Sequence, residues 1–457
     1  MAKRYEKYKD SGIAWIGEIP EHWSVKRLND IGKYRKGPFG SALKVDSFID
    51  KSDDAIKVYE QQNAIKKSAI IGASYISKEY FENNMKGFEV CANDIIVSCA
   101  GTIGELFVLP SNIEKGIINQ ALMRMRMDCR YVNLSFFLYI FDILLRVESE
   151  QSSNGSAMKN IPPFDILKKI RIPLANISEQ EQIAKYLDWK CGEIDRIVEV
   201  RERQIKLLGE LRTSVISRAV TRGLTPNAPL KDSGIDWIGQ IPEHWEICRL
   251  KNACSLKGRI GWKGLRSEEF EQISYAYLVT GQDFHSAIID WTKCYQISKE
   301  RYDEDPYIQL SNGDLLITKD GTIGKIAKVS NMDKPSCLNS GIFVMKQTKA
   351  LFEQSYLYWL LESSLLKEFN NYTSTGTTIL HLYQNVFENM PFIIPSLSEQ
   401  QQIAEYLDKK TEEIDSTIDK FKVQIDKLKE YRQALITEVV TGKIDVRGIK
   451  IPTPKSN

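Results

Sequence analysis

The sequence predicts an α+β protein in which two mostly β domains, related by internal duplication, are separated by two long antiparallel coiled-coil helices. Three observations predict it. Residues 8–28, YKDSGIAWIGEIPEHWSVKRL, and 230–250, LKDSGIDWIGQIPEHWEICRL, are identical at 15 of 21 positions. SEQEQIAKYLD from Ser178 recurs as SEQQQIAEYLD from Ser398, and Asp94 with Gly101-Thr-Ile-Gly104 recurs as Asp314 with Gly321-Thr-Ile-Gly324. After each SEQ block, apolar residues recur at alternating steps of four and three, the seam of a coiled coil. The period of about 220 residues is far above solenoid spacing, so whole domains are duplicated.

Within each half, IIVSCAG (95–101) and LLITKDG (315–321) are β-branched runs ending in glycine turns, and read as strands. IIGASYI (70–76) and ISYAYLVTG (273–281) read the same way. Segments 134–150 and 351–369 carry helical spacing over four or five turns. Residues 29–90 and 251–311 share no pattern, so shared borders enclose unlike middles.

The long helices have clear punctuation. Ser178 with Glu181, and Ser398 with Gln401, are expected to form capping boxes. The first seam is Leu187, Cys191, Ile194, Val198, Arg201, Ile205, Leu208, Arg212, Val215 and Ala219. The second is Leu407, Thr411, Ile414, Ile418, Phe421, Ile425, Leu428, Arg432, Leu435 and Val439. Arg212 and Arg432 interrupt the seams at equivalent places. Gly223 and Gly442 stop the helices. The linker 221–231 is short, so helices paired along their seams must run antiparallel. The expected segments are 1–177, 178–222, 223–397, 398–442 and 443–457.

Apolar residues make up 42% and charged residues 27%, as expected of a globular chain with real cores. Eight cysteines without a Cys-x-x-Cys pair, and four histidines, argue against a zinc site or disulfide framework. The N-terminus lacks a signal-peptide pattern, and no apolar run of about 18 residues suggests a membrane span. A cytoplasmic location follows as an expectation. A net charge of +2 does not announce a nucleic-acid binder, although local basic patches can exist on a neutral chain.

Catalytic signals are weak. Asn160-Ile-Pro-Pro-Phe164 resembles the Asn-Pro-Pro-aromatic loop of amino-methyltransferases, but Ile161 breaks it. Gly321-Thr-Ile-Gly324-Lys325 lacks the spacing of a phosphate loop and reads as a tight turn. His22 and His244, beside Trp23 and Trp245, have no acidic partner at catalytic spacing and read as packing. Binding signals are better. The first half has the glycine-rich basic loop 35–44 with Lys36, Ser41 and Lys44, followed by the amides of Gln61-Gln62-Asn63, of which Gln62 and Asn63 are the candidates. The second has Lys257, Arg259, Trp262 and Lys263. Asn154 and Lys159, and Thr375 and Thr377, lie on small polar loops at matching places before each long helix. Lysine and arginine suit phosphates or guanine edges, and carboxamides suit the adenine edge.

Taken together, the KDSGI-WIG-IPEHW, Gly-Thr-Ile-Gly and SEQ-QIA-YLD blocks, each followed by a long helix, resemble the specificity subunits of type I restriction–modification enzymes. The resemblance covers nearly the whole chain. It implies two target recognition domains, one per half of a bipartite asymmetric double-stranded DNA site. It implies two helical regions that separate them and dock two modification (methyltransferase) subunits, which restriction (nuclease/translocase) subunits join. It places S-adenosylmethionine, ATP and Mg with those partners and no cofactor or catalytic residue in this chain. The rival readings are a coiled-coil adaptor with protein- or glycan-binding ends, and a single-chain methyltransferase.

Overall fold

The computed structural model describes residues 3–152, 161, 163–259, 265–285, 287–373 and 381–452, with the backbone alone at 41, 45 and 148–152. It divides into two compact units, Met1–Val200 with Gln424–Asn457, and Arg201–Val423. Each unit therefore takes one β-rich domain, part of the helix that follows it and part of the other long helix.

In the first unit, strands Leu106–Val108, Ile95–Ser98, Leu122–Met127 and Gly32–Lys36 form an antiparallel sheet in that order. Alternation sends Tyr34, Met123, Met125 and Met127 into the core and Lys33, Arg35, Arg124 and Arg126 to the other face. A second sheet contains Ile56–Tyr59 paired parallel with Gly116–Ile118. Ser24–Arg27 pairs with Arg171–Leu174 and clasps the two ends of the domain together. In the second unit the same plan recurs: Cys254–Gly258, Ile342–Gln347, Leu315–Thr318 and Ile326–Lys328 are sheet neighbours, Ala276–Val279 lies parallel to Ser336–Leu338, and Glu246–Arg249 clasps Pro391–Ile394. The unlike middles thus share a core of strands, while the first unit's sheets have four and five strands and the second's six and three.

Two local expectations need correction. IIGASYI supplies only the two-residue strand Tyr75–Ile76, and Ile70 stands 87% exposed. Segment 134–150 is one helix, Leu134–Ser152, but its counterpart breaks into Gln354–Glu362 and Ser364–Thr373. The break is at Ser363, whose extended backbone ends the first piece. Ser217 accepts from Ser364 N at 3.1 Å and takes over the amide left unpaired there.

The long helices span Ile177–Arg222 and Leu397–Val440, and Gly223 and Gly442 beyond them take positive φ. Their caps lie two residues upstream of the expected ones. Asn176 Oδ1 accepts from Glu179 N at 2.9 Å, and Ser396 Oγ accepts from Glu399 N at 3.3 Å. All the seam residues are buried or half-buried. In the first unit Asp195 meets Arg432, while Gln182 donates to Val446 and Ile449 carbonyls. In the second, Arg201 lies over Phe421 and Arg212 meets Asp415. Within each unit the helices therefore run antiparallel. No helix among the described residues is long and apolar enough to cross a membrane.

Candidate nucleic-acid interface

The duplicated blocks meet each other in space. Glu179, from the first SEQ block, is 3% exposed at its side chain. It accepts from His22 Nε2 at 2.8 Å, Trp23 Nε1 at 3.1 Å and Tyr5 Oη at 2.7 Å. Glu399 repeats this with His244 and Trp245, each at 3.0 Å. The acidic partner that no catalytic spacing in sequence offered is thus supplied from more than 150 residues away. It clamps a tryptophan that is wholly buried in each copy. Gln180 and Gln400 are also fully buried, and each bonds the loop before the domain's next helix: Gln180 accepts from Asn133 N, and Gln400 accepts from Glu353 N. These blocks build a frame.

The frame carries a rim. In the first unit the strands Gly32–Lys36, Ile56–Tyr59, Ile95–Ser98 and Gly116–Ile118 deliver their C-terminal ends to one place. Asn119 N donates to Tyr59 O at 3.0 Å, and Cys99 N to Ala121 O at 2.8 Å. Gln61 Nε2 donates to Ala100 O. A Cβ on Gly37 would sit 1.8 Å from Asn119 O, so only glycine lets these two loops touch. The rim presents Lys36, Phe39, Gln61, Gln62, Thr102, Asn119 and Gln120, all exposed or half-exposed. Asn119 Oδ1 accepts from Ala121 N at 3.0 Å. No side-chain hydrogen bond or ion pair holds Lys36, Gln62 or Gln120 among the described residues.

The second unit builds the same rim, keeping the asparagine and the turn threonine and changing the residues around them. Asn339 N donates to Val279 O and Lys319 N to Gly341 O, both at 2.9 Å. Gln282, Lys319, Asp320, Thr322, Asn339 and Ser340 occupy it. Leu382 N donates to Lys319 O at 3.1 Å and His381 pairs with Asp320, which brings the residue after 374–380 to this edge.

The Gly-Thr-Ile-Gly segments are rim turns. Gly101, Gly104, Gly321 and Gly324 all have positive φ. Ser98 and Thr318 hydroxyls each bond across their turn, to Thr102 O and Thr322 O. Gly104 N donates to Ser98 O and Gly324 N to Thr318 O, both at 2.9 Å, so each segment is a hydroxyl-braced hairpin turn.

Beside the first rim, the outer face of the sheet sets like charges directly opposite one another: Arg124 faces Arg35 and Arg126 faces Lys33. Such pairs are destabilising unless something offsets them. The buried Asp94 chelates Arg126 through two 2.7 Å bonds and drives its pKa up. Burial, with Arg126 adding to it, pulls Arg124 down. The corresponding pairs in the second unit are Ser255 with Lys346 and Lys257 with Val344, so half of that charge is gone.

The sequence-derived candidates divide three ways. Lys36 and Gln62 stand on the rim. Ser41, in the turn Gly40–Ala42, and exposed Lys44 lie on the loop that leaves it, and Lys257 is exposed over the Tyr307 ring. Asn63 and Arg259 are placed inside instead. Asn63 is fully buried, accepting from Glu60 N and donating to Ser68 and Ile71 carbonyls, so its amide holds a loop. Arg259 is 2% exposed and donates to Leu338 O at 3.0 Å. Asn154, Lys159, Trp262, Lys263, Thr375 and Thr377 lie outside the described residues, as do Asn160 and Pro162 of the broken Asn-Pro-Pro-aromatic segment. Sequence reading missed Asn119 and Gln120, and named Gln61 and Phe39 only as members of their segments. Polar residues directly after a buried β run, as in Ile117-Ile118-Asn119-Gln120, were the available signal.

Comparison with known proteins agrees with this arrangement. A family model described as type I restriction modification DNA specificity domain matches twice, at residues 20–205 and 242–427. The type I restriction enzyme MjaVIII specificity subunit of Methanocaldococcus jannaschii is 25% identical over 440 residues, covering 94% of this chain and 95% of its own. A chain solved in work on complex assembly and conformational transition of the type I R-M system has the same fold, with a TM-score of 0.71 at 15% identity over 93% of this chain and 99% of that one. The HsdS subunit from Thermoanaerobacter tengcongensis gives a TM-score of 0.54 at 15% identity over 93% and 98%.

Proposed function

The chain belongs to the type I restriction modification DNA specificity family, and from that premise we propose that each of its two rims reads one half of a bipartite, asymmetric DNA target. It is a sequence-specific DNA-binding subunit that works with the other subunits of a restriction–modification system. The observation that carries the reading is the rim itself. One frame is built twice from near-identical blocks, and it presents two different sets of carboxamides, hydroxyls and cations. Carboxamides match the N6/N7 edge of adenine in the major groove, and lysines match phosphates.

The reading extends to partners. Two modification subunits dock on the paired helices, restriction subunits join through them, and the helices set the unread spacer between the half-sites. S-adenosylmethionine, ATP and Mg belong to those partners, and this chain supplies no catalytic group. The adaptor and single-chain methyltransferase readings find no support in the family match. Mapping methylated adenines in DNA from cells with and without this gene tests the proposal. One split motif should vanish with the gene, and an unchanged methylome in cells that express the partner subunits would overturn it.

A further inference from the structure

Phe39 is 88% exposed, at the apex of the loop that leaves the first rim. Burying a phenylalanine side chain is favourable, so the fold forgoes that contribution here. A lone exposed apolar residue is ordinary; the setting of this one is not. Pro38 is buried before it and Leu43 is buried after it. Gly37 N donates to Leu122 O at 2.8 Å, Ala42 N donates to Phe39 O at 2.8 Å, and Tyr80 Oη holds Ala42 O. The ring is thus presented on a braced loop, between Lys36 and Lys44 in sequence and two residues beyond Gly37, which touches Asn119 on the rim.

We propose that Phe39 is a specificity-determining residue of the first domain, packing on the 5-methyl group of a thymine in the major groove. The proposal rests on the rim reading DNA. Carboxamides that address adenine work in the major groove, where every base edge is polar except the thymine methyl. An aromatic ring entering that groove with them has one apolar partner available. The matching stretch of the second domain includes 260–264, outside the described residues, so the proposal is made for the first half-site alone.

The test uses the full chain assembled with its modification subunits, and duplexes carrying the mapped target. Each thymine of the half-site assigned to the first domain is replaced singly by uracil, which removes the methyl and nothing else. Wild type should lose roughly fourfold in affinity at one thymine, the factor expected for one methyl-sized apolar group. Phe39→Ala should bind the unmodified target correspondingly more weakly and be indifferent to that uracil, while Phe39→Leu retains part of the discrimination. Uracils in the other half-site should affect wild type and Phe39→Ala alike. Because the ring packs on nothing, the variants keep the fold, which equal melting temperatures check. Wild-type indifference to every uracil overturns the assignment, as it would for a ring wedged into the base stack, which treats thymine and uracil alike. So does undiminished uracil sensitivity in Phe39→Ala. Failure of the wild-type complex to prefer its target over random DNA would sink the DNA-reading premise as well, and is distinguishable from both.

Discussion

Arg212 on the first long helix meets Asp415 on the second, its Nε 3.1 Å from the carboxylate. The duplicate contact, Arg432 to Asp195, has the same length with the helices exchanged. The two arginines that interrupt the seams at equivalent places therefore form interhelical ion pairs. They fix register, because a shift of one turn would leave a half-buried guanidinium without its carboxylate. Arg212 and Asp415 are 27% and 49% exposed at their side chains, so screening limits the pair to about 0.5–1 kcal/mol. A double-mutant cycle on Arg212→Ala and Asp415→Ala, followed by denaturant unfolding, should give a coupling of that order that shrinks as salt is added. Zero coupling at low salt would remove the register role.

Glu179 and Glu399 make the same clamp at different depths, with side-chain exposures of 3% and 22%. Glu179→Ala strands the donors of Trp23 and Tyr5 in the core, at a cost of roughly 2–4 kcal/mol. Glu399→Ala should cost clearly less, because its site is wetter and, among the described residues, no tyrosine hydroxyl donates to it. Unfolding followed by tryptophan fluorescence checks the order, and equal losses would contradict the account of the first clamp as the deeper one.

Burial raises the Glu362 carboxyl above the ordinary glutamate range, with Arg212 pulling it down and Asp415 pushing it up. An acid whose folded pKa lies above its unfolded value contributes stability in full below the unfolded pKa. That contribution is lost as pH rises through the folded pKa. Glu362→Gln abolishes this loss. The variant should melt higher than wild type at pH 8 and converge on it as the pH falls toward the ordinary glutamate range. A difference that grows as pH falls would reverse the sign and contradict the burial account.

What was legible in the sequence follows from how local each signal is. The duplication, the long helices and the Gly-Thr-Ile-Gly turns were readable because identity, heptad spacing and paired glycines act over a few residues. The clamp was not, because Glu179 and Trp23 are brought together only by the tertiary fold. The caps were misplaced by two residues, since Asn176 and Ser396 cap as well as serines inside the block. Asn63 and Gln62 have the same side-chain chemistry and adjacent numbers. Only the backbone geometry shows that one holds a loop and the other faces outward. Arg259 failed for the same reason.

That pair of neighbours suggests a contrast between Gln62 and Lys36. A carboxamide that reads adenine should, when lost, cost roughly 1–3 kcal/mol at one base pair and relax specificity there. Gln62→Ala should do this. Lys36→Ala should weaken all sequences alike and lower the slope of log affinity against log salt by about 0.9. Binding isotherms at several salt concentrations, with single-base variants of the target, separate the two. A uniform loss from Gln62→Ala would take that residue out of the base contacts.

The central claim is that each domain reads its own half-site. Residues 29–160 fall between the strands Ser24–Arg27 and Arg171–Leu174 that clasp the first domain, so they can be exchanged for the matching region of a relative without cutting the clasp. The methylome of cells carrying that chimera, with its modification subunits, should show one half of the split motif replaced and the other half and the spacer retained. A motif changed in both halves, or changed in neither by an active chimera, would contradict the claim.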